Sequence, residues 1–475
     1  MNRRAFLKGA LALTCLHGQS SSAAGFSPGS AEADLPTETA DVIVLGGGAG
    51  GLAAAISAAE AGAGRVLLLE KNERLGGDTL IAGGYFNAVI PERQSLYGIE
   101  DSVALFESQI LETGQHANDP AVVGVLAKNA GDALVWLERH GMNFLPEPFE
   151  VFGSEWRRCF KPVMPRGLGY LRALTAAAYS AGVEVKLAVA AERFVRDAEG
   201  VDGVVAESAN GKRTFFRARR GVVLATGGFA SNRSLLRQYA PHAAALPIDS
   251  QPGSTGEMTL AASDIGAAIV NMESVECVPG SREGIDYPIR LDYIPAKMVM
   301  VDASGRRFVD ENESRGVIAS AIFRYGDAPC WAIADAETVA AFDGISQKNI
   351  YRGLYAGEAF RERTVEDLAA KLHIPAGALA NTLSESPGAE RVKVPPFWAV
   401  QMHLRVHVTL GGVRIDRTAR VLDAEGVAIP RLWACGACTG SVHGLSRIGG
   451  NGINTAVVFG RISGQSAASI PDREA

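Results

Sequence analysis

The sequence predicts a doubly wound α/β fold: a dinucleotide-binding domain interrupted by an inserted α+β domain. Three observations carry this. The run Asp41-Val42-Ile43-Val44-Leu45 is apolar, β-branched and stops at glycines, the pattern of a strand buried on both faces of a parallel sheet. Apolar strands that end at a turn recur far along the chain, at 221–228 and 431–434, so the sheet is assembled from distant segments. Between them, 279–402 has mixed hydrophobic patterning and leaves through Pro395-Pro396, which marks an insertion.

The elements follow in order. A leader is expected at 1–24 and a polar linker at 25–40, then a first part of the dinucleotide-binding domain over 41–278, a capping domain over 279–402, a second part over 403–468 and a tail at 469–475. After the first strand, 53–61 reads as a helix and 65–69 as the next strand, which makes a βαβ unit. In the insertion, 364–372 reads as helical. His403, Arg405 and His407 alternate with Leu404, Val406 and Val408, a strand with three polar residues on one face.

The chain has 475 residues, enough for two or three domains with sizeable cores. Its formal charge of −6 and pI near 5.9, with no basic block, exclude a nucleic-acid partner. Six cysteines cannot make a disulfide scaffold, and no Cys-x-x-Cys-His attaches a c-type haem. No apolar run reaches the ~18 residues of a membrane span. Arg3-Arg4, with Phe6-Leu7-Lys8 and the apolar stretch 10–16, resembles a twin-arginine export signal. The expectation is a soluble periplasmic protein, moved by the twin-arginine (Tat) export machinery after its cofactor is inserted.

Gly46, Gly48 and Gly51 satisfy G-x-G-x-x-G between a strand and a helix. The first permits a tight turn, the second lets the backbone approach a pyrophosphate, and the third lets helix and strand pack closely. Ala49 and Gly50 then lie under the phosphates, at the helix N-terminus. Glu70 ends the second strand, where a carboxylate accepts from a ribose hydroxyl, and Lys71 follows it. The motif alone does not separate NAD from FAD. Gly76, Gly77, Asp78 and Thr79, with Ala82, Gly83 and Gly84, resemble the flavoprotein segment that wraps FAD, and Ala225-Thr226-Gly227 resembles a flavoprotein turn against its adenosine half. The expected cofactor is FAD.

Three further segments narrow the resemblance: 305–311 with Arg315, 407–413, and 440–451. In order and spacing they are similar to the flavin subunit of the flavocytochrome c fumarate reductase family, related to succinate dehydrogenase flavoproteins, and the likeness runs from Asp41 to Ala468. The segment 251–257 fits the same pattern. The resemblance implies reduction of a polarised C=C bond, with hydride from flavin N5 to the β carbon and a proton to the α carbon. It implies that Arg447 and His407 grip the substrate carboxylate, that Arg315 donates the proton from the capping domain, and that Gly450, Asn451 and Ile453 meet the flavin. Arg forks and a directed His donor suit a carboxylate. Arg315 read by position alone is a salt-bridge partner of Glu311 or Glu313, and Arg447 a contact to the flavin. Thr255 and Glu257 are assigned to substrate.

Members that take fumarate carry His-Pro-Thr before the cap, and that His holds the second carboxylate. This chain has Val275-Glu276-Cys277-Val278-Pro279-Gly280 instead, and the rest of the clamp is not recognisable in 281–293. The expected substrate is therefore an unsaturated carboxylate other than fumarate, whose far end meets Tyr287, Tyr293, Asp286 and Arg290. No metal is expected, because His403 and His407, four apart in a strand, are separated by about 13 Å. Cys435 and Cys438 stand around Gly436-Ala437 where relatives read Ala-Gly-Glu, and read either as a redox pair or as two packed small residues. Electrons are expected from a separate periplasmic c-type cytochrome. A dehydrogenase introducing a C=C bond, like the ketosteroid dehydrogenases, and a flavin carrier without turnover are the competing readings.

Overall fold

The computed structural model describes residues 34–151, 156–294, 297–385 and 389–473; the leader expected at 1–24 and much of the expected linker lie outside them. An eight-stranded sheet runs in the order Arg420–Leu422, Ala428–Ala434, Arg213–Leu224, Thr37–Leu45, Val66–Leu69, Glu184–Lys186, with the hairpin Val189–Asp197 and Gly200–Ser208 attached through Arg213–Leu224. Its central pairs are parallel: Val42–Leu45 lie beside both 66–69 and 221–224, and Leu432 opposes Val222. Those residues are fully buried, as strands covered on both faces must be. Such a sheet opens a ligand crevice at the carboxyl ends of its strands.

The first helix is Ala49–Glu60, four residues earlier than the sequence reading. The turn needs only Gly46 to Gly48, and Gly48 is already the extended residue before the first helical turn. The next strand is Val66–Leu69, and Thr364 caps Val365–Leu372 with its hydroxyl accepting from Asp367 N–H at 3.1 Å. The last long helix, Asn451–Ala468, packs along Ala49–Glu60.

The inserted stretch carries its own antiparallel sheet, in the order Met298–Val301, Trp331–Ala334, Phe397–Gln401, Ala359–Glu362, with the helix Arg315–Phe323 before its second strand. The chain enters and leaves it through one antiparallel ribbon, Val275–Gly280 against His403–Thr409. On the second of these strands Leu404 and Val406 are buried and His403, Arg405 and His407 are half-buried, the alternation expected, which fails at Val408, half-buried where the register shifts opposite Glu276 and Cys277. Among the described residues no helix is long and apolar enough to cross a membrane.

Candidate active site

A cavity of about 960 Å³ follows the carboxyl ends of the parallel strands and continues under the inserted segment. At its first end lie Gly46, Gly48, Ala49 and Gly50. Gly46 has φ +103°, which a side chain would strain. A Cβ on Gly51 would stand 1.9 Å from the Gly46 carbonyl oxygen, so Gly51 packs helix on turn and does not line the cavity. The helix behind begins with no side chain of its own Ncap residue bonded to it and no acidic residue in its first turn, which leaves its dipole and the N–H groups after Ala49 to an anion. Glu70, buried, accepts from Gly47 N–H at 2.7 Å and from Asn72 N–H at 2.9 Å.

The segment after Glu70 is pinned across the cavity. Asp78 accepts from Ser250 Oγ at 2.9 Å, Gln251 N–H at 2.7 Å and Ser254 Oγ at 2.6 Å, and Thr79 Oγ1 accepts from Ala49 N–H at 3.0 Å. Lys71, Gly77, Ala82, Gly83, Gly84, Ala225, Thr226, Gly227, Gly450 and Ile453 also line the wall. Gly76 does not; its N–H donates to the Gly47 carbonyl at 3.0 Å. Asn451 is buried behind the wall, its Oδ1 accepting from Asn87 Nδ2 at 2.6 Å, and so sets the start of the last helix. Val189 and Ala191 line the same end and carry no motif that sequence reading could use. Thr226 Oγ1 is buried with no partner among the described residues. An uncapped helix start, an acidic residue at the second strand's end and an orphaned hydroxyl fit FAD.

At the other end Arg315, His407 and Arg447 line one stretch of wall, brought from the inserted helix, the ribbon and the loop before the last helix. Behind them stands Glu276. Its Oε1 accepts from Arg315 Nη1 at 2.8 Å and from Arg447 Nη2 at 2.7 Å. Burial alone would raise the Glu276 pKa, but the charges of Arg447 and Arg315, with His407, bring it to about 2. Burial pulls Arg315 below its ordinary range, Glu276 opposing and Arg447 and Arg290 adding repulsion. Glu311, a partner expected for Arg315, is taken by Arg307 at 2.7 Å and Arg391 at 2.8 Å.

His407 Nδ1 lies 3.1 Å from Asp249 Oδ2; burial alone would raise the Asp249 pKa, but this contact together with the charges of Arg290 and Arg405 lowers it. His403 faces a different carboxylate, Glu358, at 3.5 Å. His443 is buried beside Arg447; burial, then that charge, takes its pKa down to about 3, so it is a neutral ring at physiological pH. Glu276, Asp249 and His443 were not assigned from sequence. The signal for Glu276 was a lone charge in the otherwise apolar run Val275–Gly280.

Arg290 and Tyr293 line the cavity, as does Asp286, with Arg290 held in a fork by Asp292 at 2.7 and 2.5 Å. Tyr287 does not: Asp286, Pro288 and Arg290 face inward, so Tyr287 turns outward, where Arg352 stacks 3.5 Å over its ring. Thr255 and Glu257 are likewise away from Arg447. Lys71 Nζ bonds Thr255 Oγ1 at 2.7 Å and pairs with Glu257, which places both at the dinucleotide end. Tyr85 and Arg166 join Tyr293 in the far wall. The Cys438 thiol donates to the carbonyls of Leu224 at 3.3 Å and Cys435 at 3.2 Å; burial raises both thiols, Cys438 to about 12.

The model of the FAD binding domain family matches residues 41–453. A probable fumarate reductase of Shewanella frigidimarina is 32% identical over 459 residues, which cover 91% of this chain and 75% of that protein. A urocanate reductase of Eggerthella lenta is 31% identical over 461 residues, 91% of this chain and 75% of that one. The solved open conformation of a flavocytochrome c3 fumarate reductase superposes with a TM-score of 0.73 at 30% identity, over 91% of this chain and 78% of that one.

Proposed function

The chain belongs to the FAD-binding family of fumarate-reductase-type flavoproteins and is an FAD-dependent oxidoreductase acting on carbon–carbon bonds, and from that premise we propose that it reduces the C=C bond of an enoate carrying a single carboxylate. Bound FAD supplies the hydride to the β carbon. Arg447 and His407 hold the carboxylate, toward which charge develops as the hydride arrives. Arg315 gives a proton to the α carbon, its guanidinium kept close to its task by burial and by Glu276. Asp249 orients the His407 ring.

The observation that carries this reading is the bridge Arg315–Glu276–Arg447, which sets two guanidiniums on one wall of the cavity. It weighs against a ketosteroid-type dehydrogenase, because two guanidiniums on one wall suit a carboxylate, which a steroid ketone does not carry. Fumarate is disfavoured at the far end. Arg290 is already engaged by Asp292, and Arg405 by the carbonyls of Ile248 and Ser281 at 2.8 and 2.9 Å. Tyr85, Tyr293 and Arg166 there suit an aromatic or heteroaromatic group, on which a planar guanidinium stacks. The twin arginine at 3–4 supports export to the periplasm by the Tat machinery, and the lack of a haem-attachment motif supports a separate c-type cytochrome as electron donor.

The test is to reduce the holoenzyme anaerobically with a low-potential dye and follow dye reoxidation by acrylate, crotonate, urocanate, cinnamates, fumarate and a steroid enone. A monocarboxylic enoate is expected to turn over fastest. A micromolar fumarate KM with no better substrate overturns the single-carboxylate reading. Flavin reduction by saturated compounds, with no reoxidation by any enoate, overturns the reductase.

A further inference from the structure

Two guanidiniums face the substrate end of the cavity, and one carboxylate stands behind both. Glu276 does not itself line the cavity, yet its side chain is almost wholly buried and a single oxygen, Oε1, takes Arg315 at 2.8 Å and Arg447 at 2.7 Å. Its other oxygen, Oε2, is buried with no hydrogen-bond partner among the described residues. Burying an ion without satisfying its second oxygen costs stability, and a neutral acceptor would bridge the two guanidiniums with the same geometry. What a neutral acceptor cannot supply is the negative charge. Of its neighbours, Arg290 is separately balanced by Asp292, and His407 is engaged by Asp249 at 3.1 Å.

We propose that Glu276 sets the charge of the substrate: by cancelling one of the two guanidinium charges it leaves a wall matched to one carboxylate, and it makes a second carboxylate on the same molecule unwelcome. Glu276 is thus a positioning and specificity residue that acts through Arg315 and Arg447. The inference rests on the proposed reading of this wall, with Arg447 and His407 as the carboxylate grip and Arg315 beside them. Its signature is a dependence on ligand charge. Removing the negative charge while keeping the acceptor, Glu276→Gln, leaves a neutral ligand unaffected, strengthens a mono-anion, and strengthens a dianion more. With one unit charge acting across ~6–12 Å through an effective dielectric near 20, the mono-anion gain is on the order of ten- to a hundred-fold.

The experiment titrates the oxidised holoenzyme with propionamide, propionate and succinate and reads the flavin absorbance change, so that it needs no turnover. In the wild type propionate binds more tightly than succinate. In Glu276→Gln propionamide shifts by less than two-fold, propionate tightens at least about ten-fold and succinate by more than propionate does. Glu276→Asp, which keeps the charge and loosens the geometry, retains the wild-type preference for propionate. A common factor for all three ligands in Glu276→Gln, or a loss of preference in Glu276→Asp as large as in Glu276→Gln, overturns the proposal. If no enoate reoxidises the flavin but the charge ranking is found, the reductase reading falls and this one stands. If neither carboxylate perturbs the wild-type flavin, the carboxylate site itself is refuted and this inference with it.

Discussion

Replacing Arg315 by Ala separates proton delivery from carboxylate binding, because Arg315 and Arg447 reach the same oxygen of Glu276 from different elements. In Arg315→Ala, Glu276 keeps Arg447 at 2.7 Å, so its buried charge is not orphaned and the loss of fold stability stays at about 1–3 kcal/mol, the value of one charged hydrogen bond. Carboxylate binding continues through Arg447 and His407 but weakens, because Glu276 then offsets the one guanidinium left beside it. The larger loss falls on the proton transfer: a positioned general acid is worth ~10² to 10⁴ in rate, or roughly 3–5 kcal/mol of barrier. The assay is rapid mixing of dye-reduced variant with its best monocarboxylic enoate, beside measurements of FAD content and melting temperature. The expected result is full FAD occupancy, a KM raised on the order of ten-fold or more and kcat at saturating enoate down by ~10² or more. A kcat within ten-fold of wild type, with FAD in place, refutes Arg315 as the acid.

Gly51→Ala puts a Cβ 1.9 Å from the Gly46 carbonyl, so the variant is expected to purify with little FAD and a lowered melting temperature; normal FAD content contradicts the packing role. Asp249→Asn removes the carboxylate beside His407 and is expected to raise KM for the enoate more than it lowers kcat, whereas an unchanged KM contradicts the orienting role. The Glu276 pKa is depressed from 4.5 to about 2, so its bridge contributes stability that is full above the ordinary carboxylate pKa and is lost as pH falls toward 2. Acid melting curves of Glu276→Gln are expected to lack that limb; an identical limb contradicts the assignment. Cys435 and Cys438 are buried with raised pKa values, and are expected to resist alkylation at pH 8 until the protein is denatured. Alkylation of the native holoenzyme at both sites would restore the redox-pair reading.

The parallel core was legible because its strands are continuous apolar runs and its turn glycines have no substitute: Gly46 at positive φ and Gly51 against a carbonyl admit little else. The first helix began earlier than read, because its opening residues Ala49, Gly50 and Gly51 were counted as turn. At the substrate end Arg315, His407 and Arg447 were found through a family pattern, and the structure brings them to one wall. Their partners were not found. Glu276 and Asp249 lie 39 and 158 residues from the side chains they serve, and no local spacing links such pairs. Tyr287 is read from its place in the stretch after the missing clamp and Thr255 from a family-like segment; one lies outside the cavity lining, under Arg352, and the other is held by Lys71 at the dinucleotide end.

The most direct test of the account is a single turnover. The flavin of the holoenzyme is reduced stoichiometrically without oxygen and mixed with a monocarboxylic enoate in deuterium oxide, and the product is analysed. The account predicts flavin reoxidation at a saturable rate, one saturated acid per flavin, and one deuterium at the α carbon from solvent. Fumarate reoxidising the flavin faster than every monocarboxylic enoate, or flavin that stays reduced with all of them, contradicts it.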